Sequence, residues 1–152
     1  MEEDAERHMK DGYNCAESVL LAFIESWEKY FRSGVTSAAA TAFGGGIGRS
    51  GNICGALSGG LIALGLAVGR TDAKDEEGKQ QAYQAARELL QGFRKQWGAL
   101  TCRELTECDL STPEGYEKYR ESKIHETKCS KIVRETTRTV AAIIDRFKKD
   151  PI

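Results

Sequence analysis

The sequence predicts an all-α protein, a single domain over residues 1–152 built as a bundle of four or five main helices around a central glycine- and alanine-rich helix. Three observations predict it. Apolar residues recur at three- and four-residue spacing in several long segments, which is the stripe of an amphipathic helix. Only two prolines, Pro113 and Pro151, occur in the chain, so long helices have room. An uncharged run, Asn52 to Gly69, sits in a chain that is 30% charged, and no stretch alternates apolar and polar residues as a half-buried strand would. A chain of this length buries a core without disulfide staples.

The elements follow in order. Residues 2–10 are polar and read as a short or frayed helix, so residues 1–11 are expected to be an N-terminal extension, broken off at Gly12. Asn14 is placed to cap a helix from Cys15 to about Arg32–Gly34, with Val19, Phe23 and Trp27 as its stripe and Leu20, Ile24 and Phe31 alongside. Cys15 begins that stripe, which turns its thiol inward. Ser37 to Phe43 is alanine-rich and uncharged, and reads as one or two helical turns started by Thr36 or Ser37. The stretch Gly44–Arg70, GGGIGRSGNICGALSGGLIALGLAVGR, then joins a glycine loop to the central helix, and the rest of the chain is organised around it. Small residues at Ala56, Gly59, Gly60, Ala63 and Ala67 let neighbouring helices approach closely.

Gly69 ends the central helix, and Thr71 or Asp72 is expected to cap the next. That helix, Lys74 to Trp97, should bury Tyr83, Leu89, Leu90, Phe93 and Trp97 before Gly98 stops it. Thr101 to Cys108 reads as a short helical turn carrying Cys102 and Leu105. Asp109 to Lys123, with Pro113 and Gly115, reads as a surface excursion anchored by Tyr116 and Tyr119. The last helix runs from near Ile124 to about Lys148. Ile132, Val133, Val140, Ile143, Ile144 and Phe147 form its apolar side, with Cys129 one turn before Ile132 and Val133.

Composition narrows the function. Twenty-two Lys and Arg nearly cancel 23 Asp and Glu, so no strong field points to nucleic acid or to an anionic membrane. The run Asn52–Gly69 approaches the lower length for a bilayer span, about 17–25 residues, but its glycines, Ser58 and Asn52 favour a buried central helix and no membrane insertion. The start, MEEDAERHMK, is acidic and carries no signal peptide, which points to a cytoplasmic, reducing compartment. Five cysteines in such a compartment are expected to be reactive or metal-binding rather than structural.

Asn52 is a good N-cap, which places Cys54 at about the second helical position, where free amides and the helix dipole favour a thiolate. Cys54 is therefore expected to be the most acidic thiol. Gly46-Ile47-Gly48-Arg49-Ser50-Gly51 spells GxGxxG, but a helical segment rather than a strand precedes it, so a dinucleotide site is rejected and a tight turn expected. Arg49 and the helix amides could still hold an anion there. No CxxC pair occurs, and Cys102 and Cys108 are too loosely spaced for a zinc knuckle. His125 lies four residues before Cys129, on the same helix face, as a candidate ligand or thiol assistant. His8 carries no argument. No Ser-His-Asp grouping, HExxH or paired carboxylates support hydrolase chemistry.

Cys54-Gly55-Ala56-Leu57-Ser58-Gly59, a CGAxxG element, lies between Gly12-Tyr13-Asn14-Cys15-Ala16 upstream and Cys102-Arg103-Glu104-Leu105 and Cys129 downstream. In this order they resemble the redox-active family named for its C, GCAxxG, C, C pattern, over roughly Gly12 to Ile144. The resemblance implies redox or cluster chemistry at Cys15, Cys54, Cys102 and Cys129, and leaves Cys108 outside the site. One reading is a thiol oxidoreductase: Cys54 attacks a disulfide, Cys129 or Cys102 resolves it, and a redox partner supplies or takes the electrons. The other is a zinc ion or an iron–sulfur cluster held by the same four thiolates. Both require the four cysteines to converge.

Overall fold

The computed structural model describes residues 1–26 and 34–149, and Trp27 and Phe31 of the expected stripe lie outside that range. Among the described residues the chain is all-helical, with one isolated antiparallel bridge between Ile53 and Thr101. The helices are α1 (Glu2–Lys10), α2 (Cys15–Ser26), α3 (Gly55–Val68), α4 (Glu76–Trp97), α5 (Cys102–Thr106), α6 (Pro113–Glu121) and α7 (Ser130–Lys149). A 3₁₀ turn (Ser37–Phe43) precedes the glycine loop, and a π turn (His125–Cys129) leads into α7.

The central position of α3 follows from its composition. It packs on α2, α4 and α7, and every residue from Gly55 to Gly60 is buried. Gly59 marks its closest approach to α2, since a Cβ there would stand 2.4 Å from the Ala16 carbonyl oxygen. At Gly60 a Cβ would press on Val140 of α7 at 2.9 Å. Phe23, Leu57, Leu64, Leu89, Ile132, Val140, Ile143 and Ile144 fill the space between the four helices. No helix among the described residues is long and apolar enough to cross a membrane, α3 having 14 residues.

Several local expectations are corrected. The N-terminal segment is no frayed extension: α1 packs against α2 and α7, burying Ala5, His8 and Met9. His8 Nε2 lies 3.0 Å from Glu25 of α2, a polar contact that holds the buried ring. Asn52 does not cap α3. Its backbone is drawn into the bridge with Thr101, so the N-cap position falls to Cys54 itself. Asp75, not Thr71 or Asp72, caps α4 by accepting from Gly78 N–H. Tyr83 is 54% exposed, because Ala85, Leu89 and Phe93 define the buried face instead. The excursion after Asp109 is a helix, α6, capped by Thr112 with Pro113 in its first turn, although none of its residues is fully buried.

Candidate functional site

Four short connections bring the cysteines together. Asn14 starts α2 as a capping box: its Oδ1 accepts from Ala16 and Glu17 N–H, while Glu17 accepts from Asn14 N–H. That fixes Cys15 in the first turn of α2, where its Cβ lies 3.2 Å from the place a Cβ on Gly55 would occupy. The chain ahead of α3 pairs with the chain ahead of α5. Cys54 N–H donates to Leu100 O, Cys102 N–H to Asn52 O and Arg103 N–H to Gly51 O, at 2.8, 2.7 and 3.2 Å. Cys54, opposite Leu100, and Cys102, opposite Asn52, thereby lie diagonally across the bridge.

The glycine loop makes this approach feasible. Gly45, Gly46, Ile47, Gly48 and Arg49 all have φ between 57° and 69°. At Gly46 a side chain is also excluded by contact, since a Cβ would meet Asn52 N and O and Cys102 Cβ within 2.7 Å. Ile47 and Arg49 are not glycines, and their left-handed backbone costs about 1–2 kcal/mol each. Ser50 clamps the turn by donating to Gly46 O and Ile47 O.

Cys129 arrives from the other side. It ends the π turn, in which Ser130 N–H reaches back five residues to His125 O. Lys128 Nζ donates to Leu105 O at 2.7 Å and ties the turn to α5. From α6, the Tyr119 hydroxyl donates to Cys129 Sγ at 3.9 Å. Such π turns insert one residue into a helix and re-aim the side chains that follow.

Cys15, Cys54, Cys102 and Cys129 consequently line one enclosed cavity of about 30 Å³, closed by Ala56, Leu105, Leu110, Ile132 and Tyr119. That volume holds about one water. In front of it lies an open cleft of about 500 Å³, and Cys15, Gly45, Leu110 and Tyr119 belong to both walls. Cys54, Cys102 and Cys129 do not line the cleft. Cys15 is thus the cysteine that faces the cleft and the inner cavity together. All five cysteines are free thiols. Cys108 is buried outside the cavity, its Sγ 3.3 Å from Thr106 O. His125 lines the cleft, edge-on to Tyr119 at 6.2 Å, and burial holds its pKa down.

The electrostatics reverse one expectation. Burial pushes the Cys54 thiol up to about 12, although the Leu57 and Ala56 amides oppose the shift. The helix start does favour the thiolate, as its sequence suggests, but desolvation in an apolar pocket outweighs it. Cys102 is raised to about 11, again chiefly by burial. Cys129 instead is held below the usual thiol value. The Cys15 hydrogen bond lowers it most, and Tyr119 and the Lys128 charge add to this against burial. Cys15, as the donor in that pair, is raised well above its usual value, first by the hydrogen bond to Cys129 and then by burial. Of the two sulfurs, Cys129 is thus the more acidic and Cys15 the one that keeps its proton longer.

A family model described as "Putative redox-active protein (C_GCAxxG_C_C)" matches residues 13–143. The chain belongs to this family. No curated protein and no solved structure matches it. The matched span contains all four cavity cysteines, together with Tyr119. A metal reading of the site needs three or four donors gathered on one point. Among the described residues no group of three or more His, Cys, Asp or Glu stands close enough to hold a metal ion.

Sequence reading overlooked Tyr119 as a hydrogen-bond partner of Cys129. A signal was available: Thr112-Pro113-Glu114 is a helix-start pattern, and a helix from there puts Tyr116 and Tyr119 on one face.

Proposed function

We propose that this protein is a thiol–disulfide redox protein in which Cys15 and Cys129 form the exchanging pair. The observation that carries the reading is that Cys15 and Cys129 line one water-poor cavity and Cys15 is the cysteine that also borders the cleft. The opposite directions of their pKa shifts, Cys15 up and Cys129 down, support it. Exchange requires a thiolate, an attacking sulfur with access, and a second sulfur within reach to resolve the mixed disulfide. Cys129 stores the negative charge. When it takes the Cys15 proton, the Cys15 thiolate can attack a disulfide bond presented in the cleft. The first departing thiolate takes that proton from Cys129, and the Cys129 thiolate attacks the Cys15 sulfur, expels the second thiolate and closes a Cys15–Cys129 disulfide.

Cys54 and Cys102 are assigned to a second pair, held protonated by burial, which takes the disulfide from the first by a further exchange in which each thiol gives its proton to the sulfur it displaces. This revises the attacking role expected for Cys54, whose thiol stays protonated. Cytoplasmic residence suits the reading, since a reducing compartment returns the pair to the thiol state.

Oxidation by a disulfide buffer, followed by blocking and peptide mass mapping, tests the proposal. The expected first product is a Cys15–Cys129 linkage. Oxidation that leaves both of these as thiols while other cysteines react would overturn it.

A further inference from the structure

We propose that the cleft in front of Cys15 receives a small disulfide that carries a carboxylate, with Arg49 taking the carboxylate. The inference rests on the exchange role of Cys15 and names the substrate class for it. The cleft volume, about 500 Å³, lies in the range of small-ligand sites, about 300–1,000 Å³. Its wall contains Arg49 and His125 but no Asp or Glu, in a chain with 23 acidic residues. The Glu17 carboxylate is not part of the wall and is already satisfied behind it, accepting from Asn14 N–H and Thr41 Oγ1, two wall residues.

Arg49 is placed for recognition. No carboxylate pairs with it among the described residues. Its guanidinium lies over the Tyr116 ring at 4.3 Å and donates to the Tyr116 hydroxyl at 3.3 Å. Stacking fixes the plane of the guanidinium and leaves donors free for a planar oxyanion. Its backbone is held at φ 65°, a strained conformation of the kind that persists where the surroundings enforce it. Tyr116 in turn stacks on Tyr119, the residue that reaches Cys129. A ligand held by Arg49 at one end thus lies along an aromatic wall that leads to Cys15.

The step balances. Cys15 passes its proton to Cys129 and its sulfur bonds to one sulfur of the ligand RSSR. The ligand S–S bond breaks, and RS⁻ leaves and takes the proton back from Cys129. The Cys129 thiolate then attacks the Cys15 sulfur, releasing a second RS⁻. The protein dithiol is oxidised by two electrons and the ligand disulfide is reduced to two thiols.

Three disulfides of like size separate the cases: dithiodipropionate (anionic), bis(2-hydroxyethyl) disulfide (neutral) and cystamine (cationic). Rates of Cys15–Cys129 formation in the reduced full chain, read by quenched mass spectrometry, should favour the anion about tenfold over the neutral compound, as a charge-assisted contact supplies. Arg49→Gln should bring that ratio close to one, and Arg49→Lys should restore part of it. Equal rates for all three in the native protein would overturn the substrate class and leave the exchange reading standing. Oxidation of the pair by none of them would overturn both.

Discussion

At Cys129 the site depends on one hydrogen bond that can be removed alone. The Tyr119 hydroxyl donates to the sulfur and, after the Cys15 thiol, helps hold the thiolate. Tyr119→Phe keeps the ring that walls the cavity and deletes the donor. The hydroxyl is among the groups that hold the Cys129 thiol below its ordinary value, so the pH midpoint for its alkylation should then rise. The sign follows from the charge: a donor stabilises the thiolate, so its loss favours the protonated form. Alkylation near neutral pH should slow several-fold with helical content unchanged. An unchanged midpoint would remove Tyr119 from the account and leave the lowered value to Cys15 and the Lys128 charge. Which cysteine would be acidic was not legible in the sequence. The amide field at Cys54 can be read from its place at a helix start, but the burial that overrides it depends on Leu105, Leu110 and Ile132, which come from distant parts of the chain.

Among the elements, the α2–α3 contact decides whether Cys15 and Cys54 share a wall. Gly59→Ala would put a methyl against the Ala16 backbone at 2.4 Å, and helix backbones do not yield as a flexible side chain does. Urea denaturation should show a loss of about 1–3 kcal/mol. Gly65→Ala on the same helix is the control. Gly65 is exposed with nothing within 4 Å of its Cβ position among the described residues, so alanine should stabilise by about 0.5–1 kcal/mol. Equal effects at the two positions would remove the close-packing account. The central helix itself was legible, because an uncharged run rich in small residues has no other stable place. The caps were legible where side chain and backbone act locally, as at Asn14 and Thr36. They were not at Asn52, whose carbonyl accepts from Cys102 N–H beside the bridge between Ile53 and Thr101, residues 48 positions apart in the chain. The π turn left no mark beyond an ordinary helical pattern.

For the whole molecule, the bundle serves to gather chain segments from position 15 to position 129 at one buried point. The family pattern made the four cysteines legible as a set, and their common cavity accords with that. The proposed division into an exchanging pair and a second pair rests on Cys15 alone bordering the cleft, and only the folded chain contains that information. Redox titration of the full chain against a dithiol–disulfide buffer, read by thiol blocking, tests this division most directly. The first transition should involve two electrons, persist in Cys108→Ser, and disappear in both Cys15→Ser and Cys129→Ser. A first transition that survives in Cys15→Ser and Cys129→Ser but is lost in Cys54→Ser or Cys102→Ser would contradict the assignment of the exchanging pair.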